Sequence, residues 1–91
     1  MLIKFTQISN HNGKWELGEI YVNPDQVSSI TEAKFLQKLN ESGHLVDGLS
    51  ASHRFSKVTV GMDSFLIVGH PSLIRKELRI NDQSYKKLLR G

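Results

Sequence analysis

The chain has 91 residues, enough for one domain and too few for two. It has no cysteine, which excludes disulfide scaffolds, zinc–thiolate sites and thiol nucleophiles, and its 38% hydrophobic and 23% charged content is that of a globular chain and not of a disordered one. The net charge of +3 is unevenly spread: residues 71–91 hold six cationic against two anionic side chains, net +4, while residues 1–70 hold six against seven, net −1.

Residues 2–9 alternate as a strand, with Ile3 and Phe5 on one face and Lys4 and Thr6 on the other. Asn10-His11-Asn12-Gly13 follows, and Asn-Gly supplies the positive φ angles of a tight hairpin. Residues 14–22 return as a second strand. Its apolar phase is odd at Trp15 and Leu17 but even at Ile20 and Val22, which predicts an extra residue, a bulge, at Gly18. Asn23-Pro24-Asp25 stops that strand. Residues 26–31 suit a short third strand, although Val27 and Ile30 do not alternate.

Residues 32–42 carry Phe35, Leu36 and Leu39 at helical spacing, with Thr31 as a candidate cap and Gly43 as a stop. An irregular loop or a pair of strands remains an alternative there. Residues 41–53, rich in Gly and Ser, are expected to form a mobile connection ordered by a partner. Residues 54–61 resume strand character, Met62-Asp63-Ser64 is the expected turn, and Phe65–Val68, apolar on both faces, is the expected central strand. Gly69-His70-Pro71-Ser72 then starts a helix with Pro71 in its first turn and Leu73, Ile74 and Leu78 as its apolar stripe. Asn81 or Asp82 is a candidate cap for a last helix bearing Tyr85, Leu88 and Leu89.

The fold class expected is α+β: one domain, residues 1–91, with a small curved antiparallel sheet of four to five strands, built from two hairpins, and one or two short helices. A barrel-like closure is one option. The expected strand order is hairpin one, the Val27 segment, then hairpin two. The expected core is Ile3, Phe5, Trp15, Leu17, Ile20, Val22, Val27, Ile30, Val58, Val60, Phe65, Ile67, Ile74 and Leu78.

Sites are sparse. His11, His44, His53 and His70 lack the short spacing of a metal motif, so no metal site and no cofactor are expected. Catalysis would require His44, His53 or His70 to meet a carboxylate such as Asp25, Glu32, Asp47 or Asp63 in a pocket, and turn carboxylates more often serve as caps. The Gly69–Ser72 turn offers a helix start that could attract an anion, or a strand-to-helix turn capped by His70 and Ser72. A binding surface for nucleic acid or another anionic ligand would comprise His70, Ser72, Arg75, Lys76, Arg79, Lys86, Lys87 and Arg90. The basic tail has no aromatic interleaving, so that reading rests on charge alone. Phe35, Leu36 and Leu39 form a candidate protein interface.

The stretch Ile20-Tyr21-Val22-Asn23-Pro24-Asp25-Gln26-Val27-Ser28-Ser29-Ile30, followed by Val58-Thr59-Val60 and Phe65-Leu66-Ile67-Val68, resembles the small FlbD/SwrD-type proteins associated with flagella, and similar small phage and bacterial proteins. The resemblance covers about half of the chain. It departs between Glu32 and Arg54, and again after Leu78. It implies two hairpins on one small sheet and no catalytic residues. The leading expectation is a non-catalytic accessory protein of the cytoplasm that binds a protein partner and forms a homo-oligomer. No signal peptide and no membrane contact are expected: Phe65–Gly69 is the longest apolar run, against roughly 20 residues for a spanning helix.

Overall fold

The computed structural model describes residues 1–79. Five strands form one antiparallel sheet: β1 (Ile3–His11), β2 (Lys14–Val22), β3 (Val27–Glu32), β4 (Phe55–Val60) and β5 (Asp63–Val68), in the order β2-β1-β5-β4-β3. Among the described residues the sheet is open, with β2 and β3 as its two ends. Two helices pack on it, α1 (Lys34–Glu41) and α2, which begins at residue 71 and continues to 79. The α+β class and the central place of Phe65–Val68 agree with the sequence reading. The strand order does not. Hairpin two sits beside hairpin one, with Gln7 opposite Ile67, and the Val27 strand is displaced to the far edge.

Hairpin one closes on Asn12 (φ +54) and Gly13 (φ +84), a two-residue turn whose positive φ angles match the strand twist. The Asn10 side chain accepts a 2.9 Å bond from the Gly13 N–H. Hairpin two turns on Gly61-Met62, with Val60 paired to Asp63. Gly61 (φ +62) takes the left-handed position, so Asp63 and Ser64 belong to β5 and not to the expected turn.

The bulge expected at Gly18 is absent: β1 and β2 pair without interruption from Ile3–Val22 to His11–Lys14. The phase change at that point has a different cause, because the sheet is covered on both sides. Val22, Val58, Ile67, Ile74 and Leu78 form one buried cluster, with Ile3, Phe5 and Ile20 packed against it. Ile8, Ala33, Leu36 and Phe55 form a second, joined by Trp15, Leu66 and Val68. Alternate strand residues point to opposite faces, so the near end of hairpin one supplies the α2 side and its far end supplies the α1 side. The bulge lies instead in β3, where the register shifts between Val27 and Ser29. The extra residue, Ser28, brings Val27 and Ile30 to the same face, which is why they fail to alternate in sequence.

α1 is a helix, as its spacing suggests, but Thr31 does not cap it. Thr31 and Glu32 complete β3, and the capping position falls on Ala33, whose N–H donates 2.9 Å to the Phe55 carbonyl. Its end is well formed. Gly43 (φ +78) donates to Asn40 O at 3.1 Å and His44 N–H donates to Leu39 O at 2.9 Å, the paired bonds of a Schellman stop. Residues 42–53 are not a connection waiting for a partner. Leu45, Val46 and Leu49 pack on the second cluster, and the buried Asn40 amide donates 2.7 Å to Ser50 O.

Candidate functional site

A groove between β3 and α2 lies on the α2 side of the sheet. β5 ends at Gly69, whose φ of +139 turns the chain and whose N–H donates 2.8 Å to Arg54 O. The Ser56 hydroxyl, fully buried, donates 2.7 Å to the Gly69 carbonyl. Both backbone groups of this turn are therefore fixed, one by β4 and one by Arg54 just before it, and the direction in which α2 leaves the sheet is set there. Ile74 and Leu78, four residues apart on one helix face, anchor α2 in the core.

The helix start resolves the choice between anion site and cap. Pro71 has no N–H. Ser72 N–H donates to His70 Nδ1 at 3.1 Å, and Leu73 and Ile74 N–H donate to His70 O at 2.9 and 3.2 Å. Ser72 Oγ also meets Nδ1 at 2.8 Å. Each of the first four positions of the helix is thus satisfied or lacks a donor, leaving no backbone N–H for an anion. His70 is the cap and Ser72 its partner. The anion-site role expected of these two residues is not supported by their geometry.

Further along the helix the picture differs. Arg75 and Arg79, one turn apart, line a groove of about 320 Å³ together with Leu78. Its opposite wall is Pro24, Asp25, Val27 and Ile30. α2 leaves the face of β3 incompletely covered, so Val27 and Ile30 remain half-buried and floor the groove. Asn23 caps the 3-10 turn at Pro24–Gln26 by accepting from Asp25 N–H at 3.0 Å, which holds that rim in place. Among the described residues Arg75 and Arg79 have no ion pair; the two pairs observed are Lys4–Glu19 at 3.7 Å and Arg54–Glu41 at 3.9 Å. Lys76 is exposed and is not among the groove residues. Lys86, Lys87 and Arg90, like the last expected helix, lie outside the described residues.

The expected interface residues of α1 separate. Leu36 is fully buried in the second cluster, Leu39 packs against it, and only Phe35, 52% exposed, is available to a partner. A second cavity, about 400 Å³, lies between the hairpin-one turn and the segment after α1, against Trp15, His44 and Leu45. Asp47 lines this cavity with His44, but among the described residues no histidine forms an ion pair with a carboxylate. His44 bonds Ser42 Oγ at 2.9 Å, His53 bonds Ser50 O at 3.1 Å, and His11 lies 3.4 Å from Ser9 Oγ. Among the described residues there is no cluster of three metal-ligating side chains, and no helix is long and apolar enough to cross a membrane.

The groove was not foreseen from sequence. Arg75 and Arg79 at a four-residue spacing are visible there, but their facing wall depends on the strand order. Comparison with protein-family models, with curated proteins and with solved structures finds no match.

Proposed function

We propose that the protein is a small, non-catalytic accessory module that acts by binding another protein, with the β3–α2 side as its receiving surface. One observation carries this reading: an unpaired edge strand lies beside a half-apolar groove lined by two arginines without ion-pair partners among the described residues. Edge strands are ready templates for another chain, and an apolar floor with a few polar groups at its rim is the usual form of a specific site. The local bonding of the histidines favours binding over acid–base chemistry, because each ring is held by its own loop and none forms an ion pair with a carboxylate among the described residues. Self-association belongs to the same proposal. β2, nine residues long, is the other open edge, and it exposes Leu17 and Tyr21.

The test compares the wild-type chain with an Arg75→Glu/Arg79→Glu variant as bait. A partner identified on wild type, lost on the variant and rebound when both components are purified supports the reading. A partner retained equally by the variant refutes the choice of surface. Light scattering at micromolar concentration tests the self-association, and a clean monomer removes it.

A second reading is binding of a nucleic acid or another phosphorylated ligand. It is favoured by the arginine pair and by the tail charge of +4 across residues 71–91. Such binding falls steeply with salt. Protein that purifies with an absorbance ratio typical of free protein and shows no salt-sensitive binding excludes it.

A further inference from the structure

We infer that the partner segment is a short, extended, acidic strand that pairs with the open edge of β3 and sets two alternate carboxylates against Arg75 and Arg79. This rests on the reading of the β3–α2 side as a protein-binding surface and gives it a chemistry. Three features point the same way. First, β3 is bonded to β4 on one side only, so its other side carries free backbone donors and acceptors among the described residues. The bulge at Ser28 breaks the register and leaves Ser29–Glu32 as the regular stretch, which limits the guest to a few residues.

Second, the spacing matches. Arg75 and Arg79 are four helical residues apart, a rise of about 6 Å, and two residues of extended chain cover about 6.7 Å. Side chains at alternate positions of a strand, all on one face, therefore have nearly the spacing of the two arginines that line the groove. Third, the charges match. The groove carries two guanidiniums and one carboxylate, Asp25. Arginine forks bind carboxylates in a bidentate manner, and Val27, Ile30 and Leu78 offer an apolar floor between the helix and the strand. Asp25 repels a guest carboxylate at its own end of the groove and so helps to fix the register. The chain's own residues 80–91 carry Lys86, Lys87 and Arg90 against Asp82, the same sign as the arginines, which disfavours them as the occupant.

The experiment is a titration of the isotope-labelled full-length chain, followed by amide chemical shifts. The probe is a blocked seven-residue peptide, Val-Thr-Glu-Thr-Glu-Thr-Val, which places both glutamates and both valines on one strand face. Shifts are expected at Ser29–Glu32 and at Arg75, Leu78 and Arg79. Replacing both glutamates by lysine should abolish them, and replacing the central threonine by proline, which breaks backbone pairing, should weaken binding at least tenfold. The Arg75→Glu/Arg79→Glu variant should prefer the lysine peptide, and Asp25→Asn should bind the glutamate peptide severalfold more tightly. The inference is overturned by equal binding of the glutamate and lysine peptides, by shifts at the arginines alone that inorganic phosphate competes away, or by no binding, including the case in which residues 80–91 already contact β3. A failed peptide with a partner that still depends on Arg75 and Arg79 would reject the acidic strand and keep the protein-binding surface. Loss of both would reject the surface itself.

Discussion

Leu36 separates two ideas about α1. If it were part of an exposed interface stripe, its truncation would weaken a complex and leave the folded chain intact. In the structure it is fully buried beneath α1 against Ile8, Ala33 and Phe55. Leu36→Ala removes three carbons there, worth about 2.4 kcal/mol at ~0.8 kcal/mol per buried methylene, and the cavity left behind brings such changes to about 2–5 kcal/mol. A loss of about 3 kcal/mol in a chain of this size lowers the melting temperature by roughly 12–24 °C. Phe35, one residue earlier and 52% exposed, is the internal control, and Phe35→Ala should cost less than about 1 kcal/mol. Urea unfolding followed by Trp15 fluorescence reads both variants, because Trp15 packs against the same cluster. Leu36→Ala costing under about 1 kcal/mol, or less than Phe35→Ala, would refute the burial of α1 on this face.

Other substitutions probe the turn and the helix ends. Ser56→Ala leaves the Gly69 carbonyl without its buried donor and should cost about 1–3 kcal/mol in chemical denaturation. His70→Ala removes the acceptor for Ser72 N–H and should cost about 1 kcal/mol, while His70→Asp, which restores a capping oxygen, should recover most of it. Gly43→Ala forces an L side chain into φ +78 at the α1 stop. It should destabilise by about 1–2 kcal/mol although nothing lies near the added methyl, and Gly43→Asn should be the milder change.

Much of the fold could be read from local chemistry. Asn12-Gly13 marks its hairpin because few residues take two consecutive positive φ angles, and the unbroken apolar run Phe65–Val68 marks the strand covered on both faces. What eluded the sequence is non-local. The phase change along β2 resembles a bulge in one dimension, and only the second covering layer shows that Trp15 and Val22 serve opposite faces. Val27 and Ile30 hide a real bulge for the converse reason: the extra residue cancels their mismatch. Ile8, Phe55 and Leu36 escape the expected core because a bulge at Gly18 would gather the apolar residues of hairpin one onto one face, which leaves no second cluster for Leu36 to join. The groove is illegible because its facing wall depends on the strand order. Arg75 and Arg79 are adjacent in any helix, whereas Val27 and Ile30 reach them only because β3 stands at the sheet edge.

The strand order decides whether that groove exists. The most direct measurement is the set of interstrand proton contacts in the full-length chain. A contact linking Gln7 to Ile67 is expected, with alternate amides of Ser29–Glu32 exchanging at the rate of open backbone. Contacts from the Val27 strand to hairpin one, with Gln7 and Ile67 apart, would contradict it.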